Sequence, residues 1–162
     1  MISFNAREVY EMAEQIERNG SAFYRKAAEA TGAEAVRGFL LDLAAMEDDH
    51  ERTFASMKAK LADAEPLDTV YDPHGDGARY LRAFVEGKIF DFTSDPAERL
   101  TGTEAPAEVF AAAIELEKDS ILYYLTMKKM VVDAASRGRI DEIIEQEMGH
   151  IATLSEKSAA LD

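Results

Sequence analysis

The chain repeats itself at an offset of one hundred residues, and the repeat falls on the helix faces that a bundle would bury. Leu40, Leu43, Glu47, His50 and Phe54 step by three, four, three and four, and Ile140, Ile143, Glu147, His150 and Leu154 take the same steps. Upstream, Val9, Ala13, Glu17, Gly20 and Tyr24 are echoed by Val109, Ala113, Glu117, Ser120 and Tyr124. Steps of three and four keep residues on one side of a helix. Each such stripe is apolar apart from its acid, its His or its Tyr. Four carboxylates and two imidazoles therefore point into what should be a hydrophobic core. Bare charges there are strongly unfavourable, so something must neutralise them. Two divalent metal ions would do so, setting four positive charges against four carboxylates and two neutral imidazoles.

The rest of the pattern predicts an all-α chain. All four prolines lie between positions 66 and 106, and the sequence on either side of that window is helical throughout. A first helix is expected over about 5–30, with Asn5 as its cap, Glu8 completing a capping box and Gly32 marking its end. A second, over about 33–64, follows so closely that the two must be antiparallel neighbours. Residues 65–104 form a crossover containing one short amphipathic helix (ARYLRAFVEGKIF) and a brief helical turn beginning near Asp95. A third helix is expected over about 105–136, with Pro106 in its first turn. Arg137 and Gly138 then make a junction to a fourth over about 138–160. Hairpin, long crossover, hairpin is the order of a ferritin-like four-helix bundle, and 1–162 reads as a single domain of that kind.

Composition narrows the function. A formal net charge of −14 argues against nucleic acid and against anionic membrane surfaces, although an acidic surface can also concentrate cations. No apolar run is long enough to span a membrane. The first residues lack the basic start and apolar middle of a signal peptide, which leads to the expectation of a cytoplasmic protein. With no cysteine, the chain has no thiolate zinc site, cysteine-held iron–sulfur cluster or thiol nucleophile.

What remains is the Glu/His constellation. Two of the three histidines have Glu three positions earlier, and each pair has another Glu thirty positions upstream (Glu17 before Glu47, Glu117 before Glu147). In Glu-x-x-His both side chains lie one turn apart on the same face and reach one centre. A carboxylate can bridge two ions, whereas an imidazole caps one. Mixed carboxylate and His ligation suits iron or manganese, with zinc as a substitute.

The segments IERNGSAFY, MEDDHE, LEKDSILYY and EQEMGHI resemble the rubrerythrin branch of the ferritin-like superfamily, and the crossover run FVEGKIFDF is similar to members of it. The resemblance implies two iron ions, with Glu47 and Glu147 bridging, Glu17 and Glu117 as terminal carboxylates, and His50 and His150 as nitrogen ligands. It also implies that Tyr24 and Tyr124 hydrogen-bond to the ligands. Two departures stand out. Ser120 occupies the position of an additional rubrerythrin ligand Glu, and these 162 residues hold no cysteine with which to build a rubredoxin-like domain, so electrons are expected from a separate donor protein. The implied activity is reduction of hydrogen peroxide or dioxygen, in a homodimer. The alternatives are a ferroxidase or iron-binding protein of ferritin type, which the partly helical crossover disfavours, and a non-catalytic metal-stabilised bundle.

Other polar residues read more simply. Glu14 and Glu51 have apolar counterparts, Ile114 and Ile151, so both are expected to face solvent, with Glu14 the only further ligand candidate. His74, in the turn DPHGDG, is expected at the surface. Met12, Phe23, Phe39 and Met57 read as packing residues, and Gly20 as a point of close helix approach.

Overall fold

In a computed structural model of the chain, residues 5–61, 72–85 and 94–161 are described. Four long helices account for most of them: α1 (Ala6–Ala30), α2 (Glu34–Lys60), α4 (Pro106–Met130) and α5 (Ala134–Ala159). The crossover contributes α3 (Asp76–Val85) and a 3-10 turn (Pro96–Arg99). No strand occurs among the described residues, and no described helix is long and apolar enough to cross a membrane. The expected end of the second helix near Pro66 and most of FVEGKIFDF lie outside the described residues.

Local chemistry sets the helix starts. The Asn5 side chain accepts from the Glu8 backbone N–H at 2.9 Å, and Glu8 accepts from the Asn5 N–H at 2.9 Å, forming a reciprocal capping box. Pro106 opens α4, where its missing N–H costs nothing, and Glu108 accepts from the Ala105 N–H at 2.8 Å. Asp95 caps the 3-10 turn by accepting from the Ala97 N–H. Gly75, at φ 70°, turns the chain into α3 in a conformation that glycine adopts without strain.

The junction between the last two helices differs from the expected one. α4 stops at Met130, and Val131 takes extended backbone; Asp133 then caps α5 by accepting from the Ser136 N–H at 2.7 Å. Gly138 lies inside α5 and does not break it. A β-branched pair followed by a capping Asp outcompetes a lone Gly, because the cap satisfies a helix donor and Gly138 offers no such gain. Likewise α1 ends at extended Thr31, before Gly32. The two junctions, 31–33 and 131–133, preserve the hundred-residue offset.

α1 packs along α2 and α4 along α5, and the hairpins meet through α1 with α4 and α2 with α5. Two apolar clusters result. One gathers Val9, Met12, Phe54, Tyr123, Met127 and Ile140, closed by Leu81 of α3. The other gathers Phe23, Leu40, Leu43, Phe110 and Leu154, closed by Leu100 after the 3-10 turn. Each fully buried large side chain contributes about 1.5–3 kcal/mol. The crossover thus seals the bundle instead of only linking its halves. Met12, Phe23 and Met57 are buried as expected, and Phe39 is half-buried, its ring edge-on to Phe110 at 6.0 Å.

Candidate metal centre

All six sequence-selected acids and histidines converge in one layer of the bundle. α1 supplies Glu17, α2 Glu47 and His50, α4 Glu117, and α5 Glu147 and His150. Every one is buried, with Glu17 and Glu147 wholly so. Two sets form. Glu17, Glu47, His50 and Glu147 offer ligand atoms all within 4.8 Å of one another, and so do Glu47, Glu117, Glu147 and His150. Glu47 and Glu147 belong to both, so two cations placed in these sets would share them.

The imidazoles face inward through Nδ1. His50 Nδ1 lies 3.0 Å from Glu147 Oε1 and 3.4 Å from Glu17 Oε2. His150 Nδ1 lies 2.8 Å from Glu147 Oε2, 3.4 Å from Glu117 Oε1 and 3.6 Å from Glu47 Oε1. Although these atoms are close, none of His50 Nδ1, His150 Nδ1, Glu17 Oε2, Glu47 Oε1 and the two Glu147 oxygens makes an aligned hydrogen bond. They point at common centres more than at each other. Buried polar atoms in that condition are costly, and a coordinated ion is the partner that would satisfy several at once.

Glu17 and Glu117 are also held from across the bundle. Tyr24 on α1 donates to Glu117 Oε1 on α4, and Tyr124 on α4 donates to Glu17 Oε1 on α1. Both hydroxyls are thus spent on ligand-candidate carboxylates. Gly20 is equally specific: a Cβ there would stand 2.6 Å from Glu47 Oε2, so only glycine lets that carboxylate lie against α1. Its repeat counterpart Ser120 is buried and donates to the Leu116 carbonyl at 3.0 Å, one turn back on its own helix. Gly20 and Ser120 face a small cavity that also touches Tyr24, Glu47 and Glu117.

Without a cation, protons must moderate the charge. Burial, then the charges of Glu147, Glu117 and Glu17, push Glu47 well above the usual carboxylate range. Burial and the Glu147 charge likewise raise Glu17, and raise Glu117 to about 8. Glu147 goes the other way: burial opposes its ionisation, but the two imidazoles beside it outweigh that and lower it to about 2. For His50, burial disfavours the cation, yet Glu147 and Glu17 raise it to about 11; for His150, Glu117 and Glu147 overcome burial and raise it to about 9. The metal-free cluster is a proton store that a cation would empty.

One expectation fails here. Glu14 does not face solvent: it is 6% exposed, and Lys58 of α2 pairs with it at 2.7 Å. The repeat concealed this, because Lys58 replaces a metal as the counter-charge on one hairpin only. Glu14 belongs to neither four-residue set. Glu51 is part-exposed and pairs with Arg18 at 2.7 Å, and His74 is exposed as expected. Two contacts escaped the sequence reading. The outer nitrogen of His50 meets Gln146, and that of His150 meets Met46. Their signal was present, since 46 and 146 are repeat positions immediately before Glu47 and Glu147.

Neither a family model nor a curated protein matches this chain. A solved structure does: a candidate ferritin-like diiron-carboxylate protein from Thermotoga maritima aligns over 100% of this chain and 99% of its own, with a TM-score of 0.69 at 24% identity. The fold is therefore that of a ferritin-like all-α bundle, carrying a buried Glu/His cluster spaced to hold metal.

Proposed function

We propose that the protein is a non-haem di-iron oxidoreductase of rubrerythrin type, reducing hydrogen peroxide or dioxygen with electrons from an external donor. The observation that carries this reading is the pair of four-residue sets sharing Glu47 and Glu147, whose inward atoms lack aligned partners. The donor set fits the group: four carboxylates match the charge of two divalent ions, and oxygen with imidazole nitrogen suits iron. The diiron-carboxylate description of the Thermotoga maritima protein supports it.

Glu17 and His50 would hold one ion, Glu117 and His150 the other, with Glu47 and Glu147 between them. A ferrous pair supplies the two electrons that convert one peroxide, with two protons, into two waters. The chain's own residues do the positioning. Tyr24 and Tyr124 fix the terminal carboxylates by the hydrogen bonds they donate, which limits how far each can turn. Gly20 leaves room for Glu47. The small cavity beside Gly20 and Ser120 borders Glu47 and Glu117, where a small oxidant would approach, and the flanking apolar clusters keep bulk water away.

The test is anaerobic loading with ferrous iron, then stopped-flow absorbance on mixing with hydrogen peroxide or with air-saturated buffer. Faster oxidation by peroxide supports the reading. Faster oxidation by dioxygen points to an oxidase or a ferroxidase, and redox-silent saturation by zinc alone points to a structural metal.

A further inference from the structure

The two halves of the cluster are matched in their carboxylates and tyrosines but not in what stands behind the imidazoles. His50 Nε2–H donates to Gln146 Oε1 at 2.6 Å, from α2 to α5. His150 Nε2 lies 3.1 Å from Met46 Sδ, from α5 to α2. Positions 46 and 146 correspond in the repeat, so one crossed contact has an amide oxygen where the other has a thioether. The amide oxygen is a strong acceptor and the thioether sulfur a weak one.

That difference reaches Nδ1. An acceptor at the outer N–H keeps a proton on Nε2, so that Nδ1 is the nitrogen freed for an ion; it also fixes the ring and raises the basicity of the ligating nitrogen. Gln146 does this for His50. Met46 does far less for His150. Both side chains sit at the surface, Met46 at 45% exposure, along a groove they share with Asp49, His50, Thr53 and Arg139. Either can be changed without opening the core.

We propose that Gln146 and Met46 are positioning residues that make the two metal positions unequal, so that the set containing Glu17 and His50 binds its ion more tightly than the set containing Glu117 and His150. This rests on the dinuclear reading above. Loss of such an outer hydrogen bond typically costs 10–100-fold in metal affinity, so the two binding steps should differ by about ten-fold or more.

The test is anaerobic titration with cobalt(II), followed by its visible absorbance and by calorimetry. The wild-type protein should bind in two resolved steps. Met46→Gln should strengthen the weaker step and draw the two together. Gln146→Met should weaken the stronger step, and the double exchange should restore the separation. Thermal unfolding of each metal-free variant should match wild type, and a gain of affinity in Met46→Gln is not something a merely structural role produces. Two equal steps in the wild type, or steps unmoved by either substitution, overturn this inference and leave the dinuclear reading standing. No cobalt binding, or binding unchanged by Glu47→Ala, overturns both.

Discussion

Tyr24 on α1 donates a hydrogen bond to Glu117 on α4, and the hundred-residue repeat supplies the reciprocal bond from Tyr124 to Glu17. The hairpins are therefore tied to one another through the same carboxylates proposed to hold metal. Tyr24→Phe and Tyr124→Phe should each lower the stability of the metal-loaded protein by about 1.5–3 kcal/mol, the range for a hydrogen bond to a charged group. The two effects should be similar in size. Denaturant unfolding with saturating metal checks this, and no change in either variant would argue against the role.

Gly20→Ala separates folding from metal binding. The new Cβ would meet the far end of the Glu47 side chain, which can swing aside when no ion holds it. Alanine also favours the helix by about 1 kcal/mol. The metal-free variant should therefore be as stable as wild type or more so. Its stabilisation by metal should fall sharply, because an ion fixes Glu47 where the methyl must go. Melting curves with and without metal report both quantities. Equal metal-induced shifts in variant and wild type would contradict the geometry.

Stability should depend on pH in opposite senses with and without metal. Glu17, Glu47 and Glu117 are raised above 4.5, so each favours the fold when protonated, a contribution present below about pH 4.5 and lost as pH rises, through about 8 for Glu117. His150 and His50 are raised above 6.5, and their contribution is present below about pH 6.5 and lost on rising through about 9 and about 11. Glu147, lowered to about 2, opposes this only in acid. The metal-free protein should lose stability from about pH 5 to 9. Metal binding displaces these protons and strengthens over the same range, so the metal-induced rise in Tm should grow with pH. A pH-independent rise would count against the cluster as the binding site.

Glu14 offers a control. Lys58→Met would leave the buried Glu14 carboxylate with only the more distant Arg18, at 3.7 Å, as a counter-charge and should destabilise the protein by about 1–3 kcal/mol. Metal stoichiometry should not change, since Glu14 lies in neither ligand set. Equilibrium unfolding and a metal titration on the same variant measure both. A change in stoichiometry would contradict the separation of the Glu14–Lys58 pair from the ligand sets.

The convergence of the six acids and histidines was legible because burial, helical spacing and chemistry agree at those positions. An apolar stripe interrupted by Glu-x-x-His has few other uses. Less legible was anything depending on one neighbour across the bundle. Glu14 looked solvent-facing because its counterpart is Ile114, and only the packed structure brings Lys58 to it. The α4–α5 junction was misplaced by weighting Gly138 over Val131 and Asp133, although the repeat itself, carried over from 31–33, points to 131–133. Gln146 and Met46 were passed over because the repeat alone marks them, and an exposed residue one position before a ligand shows its role only through its crossed contact.

The most direct test of the account is anaerobic titration with ferrous iron, comparing the wild-type chain with Glu47→Ala and Glu147→Ala. The account predicts two ions per chain for wild type and loss of paired binding in each variant, since both carboxylates belong to both ligand sets. No binding by the wild type, or binding that neither substitution disturbs, would contradict it.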